Sequence, residues 1–175
     1  ALYQQLVQAD PSNALAFARW SRLLIFQAYL ELRDDLSRLA VSNAETASQL
    51  APANGEIAAR LARAYAWNGN LDKALTAAQN ATRLAPTSAE AYAILAEVLL
   101  GNNKLGDAEP AAARALQLDP NNAEAHRSQG IILSAKQQPS TAAVEFEKAA
   151  QLEPNLALRW VDLGKTYLTA NDYAK

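Results

Sequence analysis

Residues 120–154 read PNNAEAHRSQGIILSAKQQPSTAAVEFEKAAQLEP, and residues 86–120 read PTSAEAYAILAEVLLGNNKLGDAEPAAARALQLDP. Each stretch runs from one proline to the next, and the spacing is 34 residues both times. Working outward, Pro52 stands 34 residues before Pro86, and Pro11 stands 41 before Pro52, which is the same interval plus seven. Asp, Ala or Glu precedes each of these five prolines. A fixed period of this length makes the chain an array of like units, each too small to bury its apolar face alone.

Registering the chain on those prolines aligns further columns. Ala74, Ala108 and Ala142 form one, Ala81, Ala115 and Ala149 a second, and Leu84, Leu118 and Leu152 a third. Upstream stand Leu61, Leu95 and Leu163, followed by Ala62, Ala96, Gly130 and Gly164, small residues where helices approach closely. The last copy reads Trp160-x-x-Leu163-Gly164-x-x-Tyr167, and the copy before it supplies Ala142-x-x-x-Phe146 and then Pro154. This set resembles the tetratricopeptide repeat over almost the whole chain. The resemblance implies an all-α fold, a right-handed superhelical α-solenoid of antiparallel helix pairs. On it, residues 1–11 are the end of a preceding helix and 14–51 an extended repeat. Full repeats occupy 55–86, 89–120 and 123–154, and 157–175 is the first helix of a truncated repeat, with Asn171 to Lys175 as the turn into a second.

The residues support helices independently. Tyr92, Leu95 and Leu99 recur at helical spacing, and Gly101-Asn102-Asn103 stops that helix. Asn54, Ser88 and Asn122 are suited to accept a backbone N–H as N-caps, while Glu56, Glu90 and Glu124 complement the helix dipole. Pro110 falls inside a second helix, which predicts that this helix begins close to Gly106 or Asp107 and keeps the proline in its first turn. His126 and Gln129 occupy otherwise apolar or small columns and read as a polar pair satisfied by backbone or water at a repeat junction.

Composition agrees. Of 175 residues, 40 are alanine and 26 leucine, together more than a third, and such a chain favours helix over sheet. Sixteen basic and eighteen acidic residues give a net charge of −2, which argues against a nucleic-acid partner. The longest apolar runs fall far short of the ~20 residues that a membrane span needs. Without cysteine there is no disulfide, thiolate metal site or cysteine nucleophile. The chain starts without methionine and reads as part of something longer, so localisation stays unknown beyond a leaning to the cytoplasm. Its alanine content, with arginine outnumbering lysine, points to a bacterial source.

No phosphate loop, His-Glu-x-x-His, calcium loop or paired-cysteine pattern occurs. Asp34-Asp35 reads as a helix start and Glu145 with Glu147 as a solvated face. The expectation is a chain that is not an enzyme, with no catalytic, cofactor or metal site. The family resemblance implies instead a scaffold that holds a peptide or partner helix in a concave groove lined by first helices. Its inner columns carry Ala18, Ala59, Ala93, Arg127 and Val161 on one line and Arg22, Arg63, Glu97, Ile131 and Lys165 on another. The candidate groove residues are Arg22, Arg60, Arg63, Trp67, Glu97, Arg127 and Lys165, with a partner that is acidic where the arginines cluster. The alternative for Arg60 is an ordinary helix pair with Glu56. The inward asparagines of chaperone-tail clamps and of the O-linked N-acetylglucosamine transferase repeats are missing. A second reading makes the chain a non-catalytic regulatory or assembly segment of a larger enzyme, secretion or pilus-assembly machine.

Two further surfaces stand out. The seven extra residues lengthen the first repeat to helices over about Ala14–Leu32 and Asp35–Leu50, whose tip carries Phe26, Tyr29, Leu30, Leu36 and Leu39. Either these helices cover one another and pack against Tyr3 and Leu6, or Phe26, Tyr29 and Leu30 form an apolar ledge for a partner. At the other end, the face with Trp160, Leu163 and Tyr167 has no second helix to cover it, so self-association or fraying over 157–169 is expected.

Overall fold

The computed structural model describes residues 2–169, which form ten α-helices and, among the described residues, no strand. The stretch read as a turn at 171–175 lies outside them. The helices fall into two compact units divided after Pro86.

The first unit holds α1 (Leu2–Ala9), α2 (Ala14–Glu31), α3 (Asp34–Leu50), α4 (Gly55–Trp67) and α5 (Leu71–Leu84). Helix α2 has 18 residues and α3 has 17, against 13 and 14 in α4 and α5. Both helices of the first pair therefore lengthen, and the interhelical loop shortens by one residue to absorb the insertion of seven. Polar side chains start three of these helices. Asn13 accepts from the Ala16 amide, Asn54 from Ile57 and Asn70 from Lys73, each satisfying a donor that the first turn leaves over. Helix α2 packs on α3 and α4, and Ala18, Ala47 and Ile57 form a buried cluster flanked by Phe17.

The second unit holds α6 (Ala89–Gly101), α7 (Leu105–Leu118), α8 (Ala123–Ala135), α9 (Pro139–Leu152) and α10 (Ala157–Thr169). Ser88 caps α6 and Asn122 caps α8. Helix α8 packs against α6, α7 and α9, and α9 also packs against α10. Ala93, Ala115 and Ala125 make one buried cluster, and Ala142, Ala143, Phe146 and Leu163 make another. Helix α7 begins at Leu105, so Pro110 is its sixth residue and not in the first turn, which corrects the expectation from sequence. The missing N–H would have bonded to the Gly106 carbonyl. Both residues are exposed, so that carbonyl is open to water, and glycine leaves room around it.

The turn inside each helix pair places one residue in the left-handed region: Leu32 (φ 53°), Gly69 (78°), Asn103 (59°) and Gln137 (59°). The last three lie 34 residues apart. This conformation costs a residue with a side chain roughly 1–2 kcal/mol, and glycine almost nothing. Gln137→Gly, and Leu32→Gly at a residue 89% exposed, should each raise stability by ~1 kcal/mol, read as a higher urea midpoint with unchanged slope. Gly69→Gln should lower it.

Candidate functional site

In the first unit the candidate residues come from α2 and α4. Small residues at Ala18 and Ala59 are buried because neighbouring first helices meet there, so this inner column packs the helices and is not open as expected. Arg22 places its guanidinium 5.5 Å from the centroid of the Phe26 ring, a cation–π geometry. Arg60 Nη2 donates to Glu56 at 2.8 Å, the local pair anticipated as the alternative for that residue. Arg63 is buried. Trp67 meets Tyr29 edge to face with centroids 5.2 Å apart. The three proposed ledge residues separate accordingly. Phe26 is buried, Tyr29 is occupied by Trp67, and Leu30 remains 54% exposed. A cavity of about 220 Å³ opens beside them, lined by Ile25, Tyr29, Leu32, Ser37 and Trp67 among others.

In the second unit Arg127 of α8 is buried between two carboxylates. Its Nη1 donates to Glu97 of α6 and its Nε to Asp162 of α10, each at 2.7 Å. Burial works against the guanidinium charge, but Glu97, Asp162 and Glu124 outweigh it and raise the Arg127 pKa further. Arg127 and Glu97 are thus engaged with each other across helices. Sequence reading missed a second buried arginine, Arg159 of α10, which is 1% exposed. It donates to Glu153 at the end of α9 and pairs with Glu124 of α8 at 2.8 Å. A signal was present: Arg127 with Asp162 and Glu124 with Arg159 are both opposite charges 35 residues apart, one period plus one.

His126 is buried with both ring nitrogens near oxygens, Nε2 at 2.9 Å from the Pro120 carbonyl and Nδ1 at 2.6 Å from Glu145. A carbonyl only accepts, so Nε2 carries a proton. Trp160, one repeat on, makes the same contact from its indole N–H to the Pro154 carbonyl at 2.9 Å. Glu145 is therefore not the solvated residue expected from sequence, because its column faces His126 across the helix pair. Burial acts to raise the Glu145 pKa, but His126 and Lys148 hydrogen bonds and charge hold it below its ordinary value. A depressed carboxylate stabilises the fold fully above its unfolded pKa and loses that contribution as the pH falls through the folded one. Urea midpoints should accordingly fall between neutral pH and about pH 3.5, and Glu145→Gln should flatten this acid limb.

Lys165 stands exposed on α10 at the edge of a pocket of about 450 Å³, with Ile131 and Ser134 of α8, Phe146 of α9 and Thr166 of α10 also lining it. Its floor is apolar and its rim polar, which suits a side chain of a bound segment. Among the described residues no three His, Asp or Glu side chains stand together as a metal site, and no helix is long and apolar enough to cross a membrane.

Residues 38–98 match one tetratricopeptide repeat profile and residues 89–122 match another. No curated protein matches the chain in sequence. Among solved structures, a chain of the APC/C hetero-tetramer Cut9–Hcn1 is 20% identical with a TM-score of 0.70, and the alignment covers 98% of this chain and 33% of that one. YrrB, described as a TPR protein with an unusual peptide-binding site, is 18% identical with a TM-score of 0.55, covering 99% and 86%. The human IFIT1 dimer with m7Gppp-AAAA is 18% identical with a TM-score of 0.78, covering 98% and 41%. The chain thus spans about a third of the Cut9–Hcn1 chain, and at these identities the likeness is one of fold. Repeat profiles over residues 38–122 and helix pairs of the same kind in both units place the chain in the tetratricopeptide-repeat family.

Proposed function

We propose that the chain is a non-catalytic protein-interaction scaffold and that its second unit takes an extended peptide or partner helix over α8 and α10. The observation that carries this reading is the open pocket of about 450 Å³, where Ile131 and Phe146 offer apolar surface and Lys165 a cation beside it. An apolar side chain of the partner enters the pocket, and an acidic neighbour lies against Lys165. The test is titration of the chain with peptides selected on it from a random display. Ile131→Glu combined with Lys165→Glu should weaken binding at least tenfold, ~1.4 kcal/mol, and an unchanged affinity would place the site elsewhere.

A second reading rests on the first unit, where Arg22, Arg60 and Arg63 of α2 and α4 gather positive charge near Trp67. Their side chains already have partners within the fold, so an acidic peptide would have to compete with Glu56 for Arg60. Arg22→Glu with Arg60→Glu spares the buried Arg63 and should abolish capture of acidic peptides if this face is used. The nucleotide ligand of IFIT1 is not carried over, since the chain has net charge −2. The scaffold reading holds equally for a regulatory or assembly segment of a larger enzyme, secretion or pilus-assembly machine.

A further inference from the structure

Within the second unit, α9 lies on α8 through two contacts that recur in register. A Cβ added to Gly130 of α8 would stand 2.9 Å from the Phe146 ring of α9, so the aromatic ring fills the space that the glycine leaves. Four residues earlier on α8, His126 meets Glu145, the residue beside Phe146. The 34-residue period carries His126 and Gly130 of α8 onto Trp160 and Gly164 of α10. At Gly164 an added Cβ would meet nothing within 4 Å, and Trp160 and Leu168 on that helix are 49% and 62% exposed. Helix α10 therefore presents, among the described residues, a first-helix face without a second helix on it.

Helix α1 presents the complement. Counting back from the proline after each second helix, the Phe146 column reads Ala78, Ala112, Phe146 and, before Pro11, Tyr3. The Glu145 column reads Leu2 there. The two glycines of the first-helix column, Gly130 and Gly164, thus match the two aromatic residues of the second-helix column, Phe146 and Tyr3. Leu2 is 75% exposed, and Leu6 is exposed on the same helix. Helix α1 already packs on α2 through the face bearing the buried Val7, as α9 packs on α10. Its other face is in the position that α9 uses toward α8.

We infer that the chain associates head to tail with a second copy of itself, α1 of one molecule lying on α10 of the next as α9 lies on α8. Tyr3 then covers Gly164, and Leu2 covers Trp160, an apolar pair where α8 and α9 use His126 and Glu145. The contact joins different surfaces on the two molecules, so it is heterologous and extends beyond a dimer unless it closes into a ring.

Analytical ultracentrifugation of the 175-residue chain tests this. Weight-average mass should rise with concentration past that of a dimer. Gly164→Arg and Leu2→Glu each alter an exposed site that the isolated fold does not use, so each should melt as the parent does and remain monomeric. An equimolar mixture of the two variants restores one intact α1 and one intact α10 face, and should give a 1:1 dimer and nothing larger. Symmetric pairing of α10 faces would instead leave Leu2→Glu associating normally and the mixture without dimer. That outcome, or a parent chain that is monomeric at every concentration, overturns the inference. Peptide binding at Ile131 and Lys165 is read separately and does not depend on the result.

Discussion

Arg127→Ala should destabilise the second unit by about 3–5 kcal/mol, because it leaves two largely buried carboxylates without their cation. For a chain of this size that is a fall of roughly 10 °C in melting temperature. The side chain bridges Glu97 and Asp162 at 2.7 Å on either side, so one substitution breaks ties from α8 to both α6 and α10. Desolvating three charges offsets much of their mutual attraction, so the intact network adds little net stability even though breaking it is costly. The combination Arg127→Met, Glu97→Gln and Asp162→Asn should therefore recover more than half of the loss. A loss below about 1 kcal/mol from Arg127→Ala would put the network in the class of solvated surface pairs and return Arg127 to the list of residues free to meet a partner.

That choice marks where sequence reading stops. The fold was legible because its signals are forced by backbone chemistry. Proline cannot continue a helix, so Pro86, Pro120 and Pro154 mark each boundary, while Asn54, Ser88 and Asn122 cap the helices that follow. Side-chain partners in the site obey no such local rule. Whether Arg127 points at a ligand or at Glu97 depends on how first helices stack, and the same holds for His126, whose partner Glu145 lies 19 residues away. The arginines of the first unit show the mixture, since the Arg60–Glu56 pair follows from i, i+4 spacing while the burial of Arg63 does not. The second-turn position of Pro110 was hidden because helix starts drift by a residue or two where no side-chain cap fixes them, and Lys104 before α7 makes no cap hydrogen bond.

The packing of α9 on α8 gives the second large effect. Phe146→Ala should cost about 3–5 kcal/mol, the range for deleting a buried aromatic side chain that is 4% exposed. Gly130→Ala should cost about 1–3 kcal/mol by forcing a methyl group against the Phe146 ring. The double variant should be more stable than Phe146→Ala alone by ~1–2 kcal/mol. The new methyl enters the space the ring vacates, and alanine is the better helix former by up to ~1 kcal/mol. It also reproduces the pairing at the equivalent columns, Ala62 with Ala78 and Ala96 with Ala112, all buried. The coupling in this cycle, read from urea unfolding of the four proteins, measures the glycine–aromatic match directly. At Gly164 the same substitution meets open space, so Gly164→Ala should stabilise the monomer at low concentration instead. Additive costs in the cycle, or a loss at Gly164 equal to that at Gly130, would mean that the ring does not rest on the glycine and would remove the pattern on which α1 and α10 were matched.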